Sequence, residues 1–261
     1  MPAADLPLLM DAARVAGRVA SSYSGPTAAR WDKPGGAGPV TEADLAVNAV
    51  LESTLRTARP DYGWLSEETE DDECRLGRDT VFIIDPIDGT RSFVEGARTW
   101  AISIAVAHRG AVTAAAIYLP LRNKLYAAGL GAGASLNGSD LTVTTQPMST
   151  DSTVLAARPN LEAKNWRGEA PAIDRHYRPS LAYRLSLVGE GKFDAMLTLR
   201  PSWEWDIAAG ALIVEEAGGT ITDRTGAALR FNNPYPTLNG VLAAGPPLHG
   251  ALAARLGPHP A

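Results

Sequence analysis

The stretch FIIDPIDGTRSF, residues 82–93, constrains the chain more than any other. The apolar run TVFII at 80–84 reads as a buried strand, and it ends abruptly in two carboxylates, Asp85 and Asp88. Pro86 pushes Asp85 away from helical geometry, so the strand has to stop there. Gly89 can take backbone angles that other residues avoid. The N–H groups of Gly89 and Thr90 then open the next segment, and if that segment is helical they offer an anion site. One turn therefore presents two carboxylates, which repel an anion, beside N–H donors, which attract one. A divalent cation between them resolves the conflict, and ligands that are all oxygen favour magnesium. The plainer reading of DPIDG taken alone is a surface turn, because Asp-Pro and Asp-Gly are favoured turn pairs.

Other carboxylates bear on that choice. Glu67, in SEE at 66–68, follows a short strand candidate and lies beside Asp85 if the two strands are neighbours. Asp206 opens the helical pattern WDIAAGALIVEEAGG, where it serves either as a ligand or as a helix cap. Asp44, in VTEAD, has the same ambiguity, since an acidic residue in a first turn also suits the helix dipole.

Along the chain, Leu9, Ala12, Ala16, Val19 and Tyr23 recur at helical spacing and predict a helix within 6–23. The prolines and glycines of 24–39 predict a long loop. Thr41 suits the cap of a second helix, on which Val47, Val50, Leu51 and Leu55 share a face. Strands are expected at 62–66, 80–84, 100–107, 111–120 and 124–131, with short turns such as His108-Arg109-Gly110 implying antiparallel pairing. After residue 150 the pattern changes to STVLAAR (strand), 181–190 (helix), 193–199 (strand) and 205–219 (helix, stopped by Gly218 and Gly219). TITDRTGAAL reads as a hairpin, GVLAAG as a strand and PPLHGALAARL as a closing helix. The expectation is a mixed α+β and α/β chain in two packed parts. Residues 1–150 form a helix and antiparallel-sheet half with most of the acidic ligands. Residues 151–261 form an α/β half with Asp206 and the substrate-side residues.

The 261 residues are 45% hydrophobic and 20% charged, enough apolar material for one large domain or two closely packed ones. A net charge of −5 argues against general nucleic-acid binding, which needs a basic face. The single cysteine, Cys74, sits in an acidic polar run with no second thiol, so an incidental thiol is expected. The N-terminus lacks the basic start and apolar block of a secretory signal, and no apolar run approaches the ~18 residues that span a bilayer. A cytoplasmic protein without membrane attachment is the expectation. His108, His176, His249 and His259 fall in no ligand spacing, and no Cys-His or Ser-His pairing suggests a covalent intermediate.

Taken together and in order, GPVTEAD, LSEE, DPIDGTRSF and WEWDIAAG resemble the motifs of the inositol monophosphatase family, magnesium-dependent and lithium-sensitive phosphomonoesterases. The similarity is collinear from about residue 6 to 255. It implies an αβαβα layered sandwich, shared with fructose-1,6-bisphosphatase, and a homodimer. It also implies that Glu67, Asp85 and the carbonyl of Ile87 bind one Mg2+, that Asp85, Asp88 and Asp206 bind a second, and that Glu67 holds a weaker third through water. By the same resemblance, Gly89 and Thr90 donate N–H groups to the substrate phosphate, and the Thr90 hydroxyl, polarised by Asp44, orients the attacking water. Lys33 matches a segment that approaches the metals in this family, or is a solvated loop lysine. One of Trp203 and Trp205 is expected in the core and the other on the pocket.

The same resemblance implies that the substrate is a small phosphorylated metabolite. An inositol monophosphate or 3′-phosphoadenosine 5′-phosphate is expected, with histidinol phosphate or a sugar bisphosphate as alternatives. Inositol-specific members carry an acidic residue seven positions before the WD aspartate, and Leu199 stands there. Arg200 and Arg184 are then candidates for contact with a second phosphate. A non-catalytic metal- or phosphate-binding regulator is the reading from another class, and the completeness of the ligand set argues against it.

Overall fold

The computed structural model describes residues 4–36 and 38–257. His259 lies outside them. Helix α1 (Leu6–Ser21) is followed by a short antiparallel hairpin of β1 (Arg30–Asp32) and β2 (Pro39–Thr41), where the sequence predicts only a loop. Pro34, Gly35, Gly36 and Gly38 fall in the connection between these strands, with Gly35 and Gly38 at positive φ, so they shape the turn and leave the pairing intact. Helix α2 (Glu42–Ala58) starts on a reciprocal cap: the Thr41 hydroxyl accepts from the Asp44 N–H, and the Asp44 carboxylate accepts from the Thr41 N–H.

A seven-stranded sheet follows, with strands in spatial order β3 (Gly63–Ser66), β4 (Thr80–Asp88), β5 (Ala101–His108), β6 (Ala111–Leu119), β7 (Lys124–Gly129), β8 (Gly133–Leu136) and β9 (Ser139–Asp140). β3 runs parallel to β4, and all other neighbours are antiparallel, as the tight turns predict. The run TVFII is apolar without alternation because both faces of β4 are covered. Phe82 and Ile84 pack with Leu9, Val47 and Leu51 of α1 and α2, whereas Val81 and Ile83 face the opposite layer.

That opposite layer holds α4 (Leu181–Gly189) and α5 (Glu204–Glu216); a short α3 (Thr90–Val94) follows β4. α5 is apolar around nearly its whole circumference because it lies between two sheets. The second sheet has five strands, among them β10 (Thr153–Ala156), β11 (Asp174–His176) and β12 (Ala195–Thr198), the first flanked by the other two in parallel. A two-residue strand, β13 (Ser202–Trp203), leads into α5. β14 (Thr220–Thr222) returns to the five-stranded sheet, β15 (Thr237–Leu238) pairs with β13, and β16 (Val241–Ala244) sits between β12 and β14. Helix α6 (Pro246–Arg255) covers the outer face through Leu248 and Leu252. The layers thus run helix, sheet, helix, sheet, helix, as the resemblance implies.

TITDRTGAAL does not form the expected hairpin. Thr220–Thr222 pairs with β16 instead. Past it, the Asp223 carboxylate accepts from the N–H groups of Thr225 and Ala227 and closes a local turn with no return strand.

Candidate active site

Three chain segments meet at the open edge between the layers. β3 and β4 run side by side, with Ser66 opposite Ile84, and the Glu67 N–H donates to the Ile84 carbonyl at 3.1 Å. Glu67 therefore leaves the sheet one step from Asp85. Between Asp85 and Asp88 the register against β5 shifts, because Pro86 has no N–H to give and one extra residue bulges out of the ladder. Gly89 sits at φ 97, ψ 41, and this left-handed turn carries the chain into α3. From the other side, α5 brings in Asp206. The cap position of that helix is Trp203 and makes no side-chain cap bond, so Asp206 is not a capping residue.

One carboxylate oxygen from each of Asp85, Asp88 and Asp206 lies within 4.8 Å of the other two. Asp85 Oδ1 is buried and has no hydrogen-bond partner among the described residues. Burial pushes the Asp85 carboxyl well above its ordinary range, and Glu67, Asp88 and Asp206 add like charge in the same direction. Asp206 is raised well above its ordinary range by burial and then by Asp88 and Glu67. Asp88 is raised by burial to about 6, although its Oδ2 accepts from the Ser180 hydroxyl and the Ala182 N–H, both at 2.6 Å. A buried acidic cluster with one oxygen unpartnered suits a hard cation, whose charge cancels the repulsion and whose coordination satisfies that oxygen.

Glu67 faces a different neighbour. The Lys33 ammonium, on the β1–β2 connection, donates to Glu67 Oε1 at 2.7 Å and to Glu68 Oε1 at 2.6 Å. Burial works against the Lys33 charge, but the two glutamates outweigh it and hold the ammonium above its usual range. Lys33 is thus engaged with the acidic cluster rather than solvated. Asp44 is buried and raised by that burial; its Oδ1 accepts from the Thr90 hydroxyl at 3.1 Å. The same hydroxyl lies 3.1 Å from the Ile87 carbonyl.

Glu67, Asp85, Ile87, Asp88, Thr90 and Asp206 line a cleft of about 390 Å3 that also exposes Gly89, Arg91, Tyr177, Arg184, Arg200 and Trp203. A small phosphorylated molecule fits such a volume.

A model of the inositol monophosphatase family matches residues 4–260. The chain belongs to the inositol monophosphatase family. It is 34% identical to the Nus factor SuhB of Escherichia coli K12, over 96% of this chain and 95% of that one. It is also 34% identical to the inositol-1-monophosphatase of Rhizobium meliloti, over 72% of this chain and 73% of that one. The solved structure of the Thermotoga maritima IMPase superposes with a TM-score of 0.80 at 28% identity, covering 95% of both chains.

Within this family member, one expected site residue, Leu199, is placed differently from the sequence reading. Leu199 is only 4% exposed and packs with Val154, Trp166 and Leu242 in the outer core; it does not line the cleft. Its backbone is fixed there, with its N–H on Asn160 Oδ1 and its carbonyl accepting from Arg224. A leaving-group contact through its side chain is therefore corrected. Arg184 does line the cleft, but its guanidinium donates to the carbonyls of Arg178 and Pro179 and lies 4.4 Å over the Tyr177 ring. Those bonds, not a free charge, hold it. Arg200 is exposed on the cleft wall, and its guanidinium makes no hydrogen bond or ion pair among the described residues.

Ser180 is a residue that sequence reasoning missed. It caps α4 by accepting from the Tyr183 N–H and at the same time donates to Asp88. The signal was the capping pattern of PSLAY ahead of an apolar helix. Of the two tryptophans, Trp205 is the buried one and Trp203 faces the cleft. Cys74 is exposed and unpaired, and His108, His176 and His249 bond to Thr80, Asp174 and Thr222, away from the acidic cluster.

Proposed function

We propose that the chain hydrolyses phosphate monoesters of small alcohols with magnesium held at the acidic cluster. The observation that carries this is the convergence of Asp85, Asp88 and Asp206 around a buried, unpartnered Asp85 oxygen. In this reading Glu67, Asp85 and the Ile87 carbonyl form one cation site, and Asp85, Asp88 and Asp206 the other. Cations held there would supply charge neutralisation of the phosphate and a lowered pKa for a bound water. Gly89 and Thr90 direct N–H groups to the phosphate. The Thr90 hydroxyl donates to Asp44 and keeps lone pairs with which it accepts a hydrogen bond from a water and orients it. Water oxygen bonds to phosphorus as the ester P–O bond breaks, and the proton that water gives up passes to the leaving alkoxide, which departs as the alcohol.

Substrates to test are inositol-1-phosphate, 3′-phosphoadenosine 5′-phosphate, histidinol phosphate and fructose-1,6-bisphosphate. Phosphate release with Mg2+ from at least one of them is expected, and release from none overturns the reading. A homodimer and inhibition by lithium belong to the same reading; solution mass and an inhibition curve test them. A relative carrying the name Nus factor favours a second reading, in which the chain also binds a partner. The presence of Glu67, Asp85, Asp88 and Asp206 in one cleft supports catalysis as the first.

A further inference from the structure

Strand β5 turns one face toward α5, and three of the four residues on that face are alanine: Ala101, Ala105 and Ala107. The fourth is Ser103, which is 1% exposed. A hydroxyl buried among alanines costs free energy unless it is bonded. Ser103 donates to the carbonyl of Trp205 at 3.1 Å. That carbonyl lies in the first turn of α5, where the helix supplies its own donor from the N–H four residues on. The helix does not need the serine, so what the bond adds is the placement of the helix on the sheet.

Placement is what apolar packing leaves open here. α5 is apolar on nearly every side, so a small slide or rotation of it exposes no polar face. Its other polar ties at this end lead elsewhere. Glu204 accepts from the N–H groups of Asn232 at 2.6 Å and Asn233 at 2.9 Å, and Trp203 pairs with Thr237. Among the described residues, Ser103 alone bonds the backbone of that first turn to the seven-stranded sheet.

The two ends of this bond lie beside two of the carboxylates. Ser103 stands directly opposite Asp85 in the β4–β5 ladder, at the last pair before the register shifts, so the two side chains share a face. Trp205 directly precedes Asp206. One hydrogen bond thus ties the neighbour of Asp85 to the neighbour of Asp206, across two layers whose carboxylates repel each other when no cation lies between them. Ser103 itself does not line the cleft.

We infer that Ser103 is a positioning residue: its bond to the Trp205 carbonyl sets the separation of Asp85 and Asp206 and so prepares the cation site that spans the sheet and α5. The inference rests on the function proposed above and adds to it a residue that touches neither cation nor substrate.

Mg2+ binding measured by titration calorimetry, in the unmodified protein and in Ser103→Ala, separates this role from a merely structural one. Because the Trp205 carbonyl keeps a partner within the helix, the variant should hold its metal-free denaturant midpoint. Its Mg2+ dissociation constant should rise about tenfold, the usual scale for a group that orients a metal ligand. kcat should fall with KM little changed. Ser103→Thr keeps the hydroxyl and should restore most of the affinity. If Ser103→Ala folds poorly, Ser103→Cys fills the same space with a weak donor and carries the same expectation. In an Asp206→Asn background, adding Ser103→Ala should change the remaining affinity no further, since the charge that Ser103 places is gone. An unchanged dissociation constant in Ser103→Ala overturns the inference, and so does an equal loss with and without Asp206. If the unmodified protein binds Mg2+ but releases phosphate from none of the four esters above, the phosphatase reading fails and the binding data alone decide the role of Ser103. No Mg2+ binding overturns both.

Discussion

Replacing Asp85 by asparagine removes one negative charge from a buried cluster while keeping the shape of the side chain. Two effects of opposite sign follow. The metal-free protein gains stability, because a desolvated charge repelled by Glu67, Asp88 and Asp206 is gone. Phosphate release falls by two orders of magnitude or more, about the several kcal/mol that cation stabilisation of a phosphoryl transition state supplies. Thermal melts and a phosphate assay on the same variant check both; turnover like that of the unmodified protein contradicts the role given to Asp85. Thr90→Ala is expected to lower kcat by about tenfold or more while KM changes less, since orientation of water counts most in the transition state. The pH dependence of the metal-free protein follows from Asp88. Its carboxyl is raised from 3.8 to about 6 in the folded chain. The folded state therefore holds its proton more tightly than the unfolded state, and the stability this gives is present below pH ~4 and lost as pH rises through about 6. Metal-free melting temperatures should fall across that window, and saturating Mg2+ should flatten the fall. At this scale the sequence was most informative about Asp85, Asp88 and Gly89, because one turn carries its own contradiction between carboxylates and N–H donors. Leu199 misled, because its position in the motif says nothing of which way the side chain turns.

Elements were legible where burial enforces a period. α5 reads as a helix because apolar residues recur on all sides and Gly218 ends it at φ 83. β4 was recognisable by its unbroken apolar run. The β1–β2 hairpin was not, since its strand residues Arg30, Trp31 and Asp32 are all exposed and leave no alternating pattern. The link between elements was hidden for a different reason: it runs through a buried arginine. Arg75 is 2% exposed, pairs with Asp71 at 2.6 Å and donates to Asn232 Oδ1 at 2.6 Å and the Asn233 carbonyl at 2.9 Å. It ties the loop after Glu67 to the loop that Glu204 anchors at the start of α5. Arg75→Met leaves those acceptors unpaired and should cost about 3 kcal/mol, measured as a lower denaturant midpoint. An unchanged midpoint contradicts the structural role of this network.

At the scale of the whole molecule, the fold brings together groups that the chain holds far apart. Glu67, Asp85 and Asp88 come from the edge of the seven-stranded sheet, Asp206 from the helix layer beneath it, and Asp44 from the helix layer above. Local patterning gives each element but not the contact between them; that came from the ordered set of motifs. Because the cluster spans layers, a cation that satisfies it also fastens them. Magnesium at a hundredfold its dissociation constant should add about 2.7 kcal/mol of stability, a rise of several degrees in melting temperature for a chain of this size. The most direct measurement of the central claim is phosphate release against free Mg2+ after exhaustive chelation, in the unmodified protein and in Asp206→Asn. The account predicts no release without the ion, recovery on titrating it back, and loss of that recovery in the variant. Full release from the chelated protein, or an unchanged Mg2+ response in Asp206→Asn, would contradict it.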